Sequence, residues 1–483
     1  MYNQTAVIGK YTIETLTDGM YATPLDLYRE YIQNAVDSID EARRDLRVKN
    51  DYSISIIVDN ERNQITINDD GTGIKQVDAV SKLVDIGNSR KCRETARGFR
   101  GIGRLAGLGY CDKLVFTTSY IEEEVKTVVV FDAKKMRSLL LNGDDEASAN
   151  AVLSQVVSTY VLPENRSRHY FDVVLEGVVN AVELLDVEKV EDYIVQNAPL
   201  GFSKEFTWAG VIEEKMKCLG YTIPTYMIKL NGKQLYKRYR DSFVSDRARR
   251  NTDKITDVDV VPFTKDDKLI ALLWVAKSNY YGTIIDGAIK GIRIRQGNIM
   301  IGDNQSCRRF FKEERFNGWL FGELHVIDTR LIANARRDDF EKNPMYYYLA
   351  ESIAQWTMVQ TKEIRKISYE RSLPKNQREI IEIDDEHAFD LIRKDEISPV
   401  KFAGESDFID LSETDDVARI DYIDRINSLI NQKNINTKYT ALNVNRKLTQ
   451  EERKVLERVF DLIIQKYGKR KSDSIINYIL EKY

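Results

Sequence analysis

Apolar residues recur at helical spacing soon after the first twenty residues. The segment opens with Thr23-Pro24-Leu25-Asp26, where Thr23 can cap a helix, Pro24 suits its first turn and Asp26 can complete a capping box. The spacing predicts a helix that ends near Arg44. Its core face carries Tyr28, Ile32, Ala35, Val36 and Ile39.

Alternating apolar and polar positions after this helix predict strands. Residues 53–59 and 64–68 flank a polar turn and predict a hairpin. Further strands of the same region are predicted at 113–119, 127–131 and 171–177. A helical stretch from 187 then leads to segments that mix strands with helices, which is typical of an α+β domain. Those strands are predicted at 222–230, 269–276, 291–295 and 320–327.

Length and composition predict three regions. A chain of 483 residues, with 42% hydrophobic and 31% charged residues, can build two or three cores and is not typical of a disordered protein. We place a first domain at 1–185 and an α+β middle domain at 186–365. Residues 366–483 are expected to form an acidic linker and a helical C-terminal region.

Charge and cysteine content exclude several classes of protein. The net charge of −4 provides no global field for nucleic acid or an anionic membrane, so such binding would need local basic patches. Four scattered cysteines without a CxxC pair indicate neither a disulfide framework nor a zinc site. No export signal and no long apolar run are apparent. We therefore expect a cytoplasmic protein that does not span a membrane.

Three polar residues share one face of the first helix, roughly opposite its core face. Glu30, Asn34 and Asp37 stand at positions i, i+4 and i+7, which places them in line along the helix. Taken alone, this pattern favours a solvated acidic face, because exposed Glu and Asp are common.

Two glycine-bearing segments follow the helix. Asp69-Asp70-Gly71-Thr72-Gly73 ends a strand and can bring backbone close to a flat ligand, although it could also be a simple turn. The second segment is GFRGIG at 98–103, whose amides run into a predicted helix and suit a polyphosphate. A dinucleotide-binding turn would need an apolar strand before it, and KCRETAR is not one. No GK[ST] follows a glycine run, which excludes a Walker-type loop.

Together, ExxxNAxD, DxGxG and GxxGxG occur in the order typical of one superfamily. REYIQNAVDS resembles the N-box of the GHKL ATPases, INDDGTGI resembles their adenine loop, and GFRGIGRLAG followed by KLVFTTS resembles a MutL segment. Gyrase, the heat-shock-ninety chaperones, MutL and MORC proteins belong to this superfamily. The resemblance covers about the first 180 residues. It implies a Bergerat-type ATP-binding α/β sandwich. The expected fold class is therefore α+β, with this sandwich followed by a ribosomal-protein-type βαβ middle domain and a mostly helical C-terminal region.

The resemblance also implies roles for individual residues. Asn34 would bind Mg²⁺ through its amide oxygen, Glu30 would polarise the attacking water, and Asp37 would support the nucleotide. Asp69 would accept a hydrogen bond from the adenine amine. The other nucleotide-binding residues implied are Gly71, Gly73, Lys91 at the start of a mobile lid, Gly98, Arg100, Gly101, Ile102, Gly103 and Thr118. One departure is Tyr170-Phe171, where many relatives carry Gly-Thr, which puts a second adenine-side contact in question.

The middle region resembles the middle segment of the heat-shock-ninety chaperones over GIRIRQGN at 291–298 and LIANARRD at 331–338. In that family an arginine-bearing loop reaches back to the γ-phosphate. Arg337 is the best match, with Arg336 and Lys290 as alternatives. The arginines could instead form ion pairs with the neighbouring aspartates, 338 and 339.

These features predict a Mg²⁺-dependent ATPase that acts as a molecular clamp, with ATP ordering residues from about 75 to 103 and drawing two copies into a homodimer. The clamp would remodel protein clients, as the heat-shock-ninety chaperones do. The alternative is a MutL- or MORC-like ATPase that acts on DNA in repair, genome maintenance or anti-phage defence. Basic runs at 237–250 and 466–471 keep this alternative open.

Two other activities are not supported. Asp385-Glu386-His387-Ala388 is similar to a MutL nuclease motif, but Leu391 replaces the glutamate that the motif requires. No histidine lies on a helix before Glu30, as a sensor kinase would need.

Overall fold

The computed structural model describes residues 23–45, 51–85, 103–142, 148–179, 181–246 and 250–372. The chain divides into two units, Met1–Ser368 and Tyr369–Tyr483. All the interactions discussed below lie within the first unit. The predicted helices of the C-terminal region lie outside the described residues.

The first described helix, α1, spans Asp26–Asp45. Its start shows the predicted capping geometry: the Thr23 hydroxyl accepts from Leu25 N at 3.4 Å and Asp26 Oδ2 accepts from Thr23 N at 3.3 Å. These side chains satisfy backbone groups that a helix start leaves unpaired. The predicted core face is buried.

An eight-stranded sheet, here sheet A, supports this helix. Its order is β5-β4-β3-β6-β2-β1-β7-β8, and its strand pairs are antiparallel except for β1 with β7. The strands are β1 Ser53–Asp59, β2 Gln64–Asp69, β3 Cys111–Ser119, β4 Val125–Asp132, β5 Val157–Pro163, β6 Tyr170–Val178, β7 Met227–Leu230 and β8 Lys233–Gln234. The predicted hairpin is confirmed as β1 and β2, with Ile56 opposite Ile67.

Sheet A draws its last two strands from residues beyond 185. The predicted strand at 222–230 is shorter than expected, because Pro224 has no N–H to donate to a ladder. Its remaining part, β7, pairs in parallel with β1 and buries Ile228 and Leu230 in the core of sheet A. The boundary near 185 stays a prediction.

The hydrophobic core covers one face of sheet A. β1 and β2 alternate between buried positions and half-buried or exposed ones, as expected for a sheet with one covered face. Their buried residues pack with those of α1 and of a 3₁₀ helix at Gly103–Gly109. The other helices of this part of the chain are α2 Gln76–Val84, α3 Ala133–Asn142, α4 Ala149–Val156, α5 Val187–Asn197 and α6 Ala209–Cys218.

A second, five-stranded sheet, sheet B, has the order β11-β12-β15-β13-β14. Only β13 and β15 pair in parallel. The strands are β11 Asp257–Lys265, β12 Lys268–Lys277, β13 Gly291–Gln296, β14 Ile299–Ile301 and β15 Phe321–Val326, accompanied by the hairpin β9 Ser242–Ser245 and β10 Asn251–Lys254 and by helix α7 Pro344–Ser372. The predicted mixed α+β class is confirmed. The ribosomal-protein-type description stays a prediction.

A buried carboxylate organises one face of sheet B. Glu323 on β15 accepts hydrogen bonds from Lys237 at 2.6 Å, Arg295 at 2.5 Å and Tyr239 at 3.0 Å. Burial alone would raise the pKa of Glu323, but Arg295 and Lys237 hold it well below its usual range. Arg295 also donates to the backbone carbonyl of Gln196 at 2.8 Å, at the C-terminal end of α5. The network therefore links sheet B to the helix that packs beside α1.

Candidate functional site

The polar face of α1 lies where the sequence places it. Glu30, Asn34 and Asp37 are half-buried, whereas the opposite face is in the core. The Glu30 side chain is 12% exposed. This partial enclosure is the setting in which a carboxylate can work on a bound substrate while remaining accessible.

Asp69 stands at the end of β2 and is 3% exposed. Burial raises its pKa to about 8, although the neighbouring Ser38 side chain and the Gly71 N–H oppose the rise. Gly71 N donates to Asp69 Oδ1 at 3.0 Å. A carboxyl group in this position has little access to water and can recognise a polar edge of a flat ligand.

Sterics explain the two glycines after Asp69. A Cβ on Gly71 would lie 2.2 Å from Ser38 Oγ, and a Cβ on Gly73 would lie 2.0 Å from the carbonyl oxygen of Ser119. Gly73 also has a φ of +65°, a conformation that side chains disfavour. Both positions therefore require glycine because of close approach rather than flexibility.

Thr118 fixes the turn that contains these glycines. Its hydroxyl accepts from Ile74 N at 2.7 Å and donates to the carbonyl of Tyr170 at 3.2 Å. Thr118 and Asp69 both lie opposite Phe171 in the ladder, one on each side of β6. The structure thus brings Thr118 into the same corner of sheet A as Asp69, through backbone contacts.

The glycine-rich segment is described only from its last residue. A Cβ on Gly103 would lie 2.3 Å from Glu30 Oε2, so this backbone lies directly against the carboxylate. Tyr31 anchors the following 3₁₀ helix: its hydroxyl donates to the carbonyl of Arg104 at 3.1 Å and accepts from Gly107 N at 2.9 Å. The predicted residues Lys91, Gly98, Arg100, Gly101 and Ile102 lie outside the described residues.

The loop after sheet B reaches the same carboxylate. Arg337 Nε lies 3.5 Å from Glu30 Oε1, and the Arg337 side chain is 13% exposed. Of the other candidate cations, Arg336 contributes its backbone carbonyl, and the Lys290 side chain lies near Gly318. Asp339 pairs with Arg309 rather than with either arginine of the loop.

Sequence reasoning missed three residues of this site. Arg29 is 5% exposed, donates to the carbonyl of Arg336 at 3.0 Å and places Nε 3.6 Å from Glu30 Oε1. His169 Nδ1 lies 2.6 Å from the carbonyl oxygen of Gly71. Ser38 lies against Gly71. Arg29 follows Asp26 by three residues, and that spacing could have indicated an ion pair, which is present at 3.5 Å.

The donor set is consistent with magnesium held mainly by a substrate. Within the part of the chain that the structure describes, no group of three or more His, Cys, Asp or Glu side chains could hold a metal ion. Mg²⁺ is commonly bound by one or two protein oxygens with substrate phosphates and water. The amide oxygen of Asn34, four residues after Glu30, fits that pattern.

The half-buried acidic helix face, the buried Asp69 with its two sterically required glycines and the arginine at Glu30 are features that suit a bound nucleotide. Residues 28–155 match the family model of histidine kinase-, DNA gyrase B- and HSP90-like ATPases. Over this segment the chain is similar to the GHKL ATPases, which supports ATP binding by the domain. A search of curated proteins finds no match to the chain. Among the described helices, none is both long and apolar enough to cross a membrane.

Proposed function

We propose that this chain hydrolyses ATP with Mg²⁺ and acts as a clamp of the heat-shock-ninety type, in which ATP drives two copies together and remodels a protein client. One observation carries the proposal. Arg337 and Glu30, separated by about three hundred residues, form an ion pair at 3.5 Å. Each was expected to be catalytic from its own motif, and their proximity supports a site shared by the two parts of the chain.

Glu30, Asp69 and Asn34 have separate roles in the proposed hydrolysis. Glu30 takes a proton from the water that attacks the γ-phosphate, and Asp69 accepts from the nucleobase amine. Asn34 would hold Mg²⁺, which would neutralise phosphate charge when bound. Because phosphoryl transfer depends on alignment and charge neutralisation, an arginine fork at the carboxylate can stabilise the developing charge.

The pairing of Arg337 with Glu30 also suggests how the substrate changes the site. A guanidinium that is paired with Glu30 occupies the carboxylate oxygen that an attacking water would otherwise contact. A phosphate group competes for the same guanidinium, because arginine binds phosphate in a bidentate manner. We expect ATP to draw Arg337 from Glu30 and thereby release the base.

The choice of a protein client is supported by the state of the basic run at 237–250. Lys237 is buried against Glu323, and Arg238 is paired with Glu191 and Asp192. The first two cations of the run are therefore occupied within the fold. A patch for a DNA backbone needs cations that are available to phosphates.

ATP turnover with and without Mg²⁺ tests the hydrolysis. Glu30→Ala and Arg337→Ala should each lower kcat at least tenfold, since each removes a charge that the transition state uses. Arg330→Ala is the matched control, because Arg330 lies on the same loop and pairs with Asp328 at an exposed position. Turnover that is absent in the wild type, or equal in Glu30→Ala, would contradict the proposed hydrolysis.

Two further measurements test the clamp and its client. Sedimentation of Glu30→Ala with ATP should show a dimer that the protein without ATP does not form. Wild-type turnover should rise with an unfolded protein. Stimulation by DNA instead, with a salt dependence that indicates several phosphate contacts, would assign the chain to the nucleic-acid-associated class.

A further inference from the structure

Gln33 is a buried polar residue whose side chain is left unsatisfied. It lies on α1 and is 1% exposed. Neither Oε1 nor Nε2 has a hydrogen-bond partner among the described residues. Buried amides almost always have partners, because leaving both ends unpaired costs the free energy of their lost hydration. The free-energy cost of this unpaired amide indicates that Gln33 is retained for a function.

The position of Gln33 on the helix suggests what this function is. Gln33 follows Glu30 by three residues and precedes Asp37 by four, so it lies on the turn next to both. It also follows Arg29 by four residues and shares the side of α1 that meets the carbonyl of Arg336. Ser38 meets the nucleobase-side glycine Gly71 on another side of the helix.

The loop that meets α1 contains a second unsatisfied amide. Asn334 Nδ2 donates to Asp338 at 2.5 Å, but Asn334 Oδ1 is buried and has no partner among the described residues. The same loop places Arg337 at Glu30. Polar groups of this kind are what hold a buried water molecule, which typically makes about three hydrogen bonds.

We propose that Gln33 is a positioning residue whose amide binds a water molecule that donates a hydrogen bond to the Glu30 carboxylate. The amide N–H donates to the water oxygen and the amide carbonyl accepts one water proton, which leaves the other proton for Glu30. The carboxylate is thereby held in the orientation in which it receives the proton of the attacking water. This inference rests on the proposed function, in which Glu30 is the base.

The stability of a variant distinguishes this role from a structural one. If the amide of Gln33 served the fold, its removal would destabilise the protein. If it is retained for catalysis, an apolar side chain of similar volume removes an unsatisfied group and stabilises the fold. Methionine is such a replacement, because it is close to glutamine in shape and volume.

The experiment compares Gln33→Met with a matched substitution, Gln360→Met. Gln360 on α7 is similarly buried, at 4% exposed, but its Nε2 donates to Glu363. Gln33→Met is expected to raise Tm by about 2–4 °C, and to lower kcat by about 10- to 100-fold. The KM for ATP is expected to stay within about twofold, because the loss falls on the chemical step. Gln360→Met is expected to lower Tm and leave kcat unchanged.

A Gln33→Met protein with wild-type kcat, or with a lower Tm, would overturn the inference. Gln33→Leu is measured by the same two readouts as a second apolar replacement, and the same outcomes are expected for it. Glu30→Ala is measured in parallel so that the two hypotheses can fail separately. Full activity of Glu30→Ala would refute the proposed function itself. A loss of activity in Glu30→Ala together with full activity in Gln33→Met would refute only the role of Gln33.

Discussion

The contact between Gly103 and Glu30 provides a direct test of the site. In Gly103→Ala the new Cβ would lie 2.3 Å from Glu30 Oε2, a separation that Cβ atoms essentially never show. The nearest obstacle is the end of a flexible side chain rather than backbone, so the carboxylate can move and the fold can remain. Alanine at this position therefore displaces the proposed base and leaves its surroundings in place.

The magnitude follows from the geometry. To regain an ordinary contact, which begins at 3.4 Å, the carboxylate oxygen must move by about 1 Å. A displacement of this size in a reacting group can cost about 100-fold in rate, equal to about 2.7 kcal/mol of transition-state stabilisation. The same motion disturbs the 3.5 Å ion pair with Arg337. We expect kcat to fall by about 100-fold while Tm changes little.

Steady-state ATP turnover and thermal unfolding measure the two quantities. The control is Gly210→Ala on α6, because a Cβ there meets no atom within 4 Å and alanine favours a helix. Gly210→Ala should keep the wild-type kcat and have an equal or higher Tm. If Gly103→Ala retains the wild-type kcat, Glu30 does not act from the position that the structure gives it.

Three other comparisons test the electrostatics and the turn. Burial raises the pKa of Asp69 from 3.8 to about 8, so the contribution of this carboxyl group to stability is greatest below pH 4 and is lost as the pH rises through 8. In a pH series, the Tm of Asp69→Asn should therefore change less between these two pH values than the Tm of the wild type. In urea unfolding, Gly73→Ala should lose more stability than Gly232→Ala. Gly232 also has a positive φ, but a Cβ there meets no atom within 4 Å, so Gly232→Ala should cost only about 1–2 kcal/mol. Equal losses in the two variants would contradict the predicted clash at Gly73. Lys237→Met should cost about 3 kcal/mol because it leaves a buried carboxylate short of a cation. Arg238→Met removes the cation of a surface ion pair and should cost about 1 kcal/mol or less. A similar loss in both variants would show that burial of the ion pair does not set the size of the loss.

Much of the first domain could be predicted from local patterns. The helix start at Thr23 was predicted because a capping box is written in four consecutive residues. The hairpin β1–β2 was predicted because its residues alternate and its turn is short. The membership of β7 in sheet A was not predicted, because a parallel partner far along the chain leaves no local signal.

The candidate site shows the same division. Glu30, Asn34 and Asp37 could be aligned because helical spacing alone puts them on one face. The importance of Ser38 could not be seen, because it depends on Gly71 approaching α1 from another element. The run at 237–250 is basic in sequence, yet Lys237 is 2% exposed, since burial is decided by the strands around it.

The sequence by itself determined the nucleotide-binding chemistry of the first domain, because each motif is short and its geometry is set by the adjacent backbone. Only the tertiary structure decided which cation meets Glu30. Arg336 and Arg337 are adjacent in the chain, and a positive φ of 56° at Arg337 turns the loop there. The Arg336 carbonyl meets Arg29, and the Arg337 guanidinium meets Glu30. That choice depends on packing between residues about three hundred positions apart, which no local pattern records.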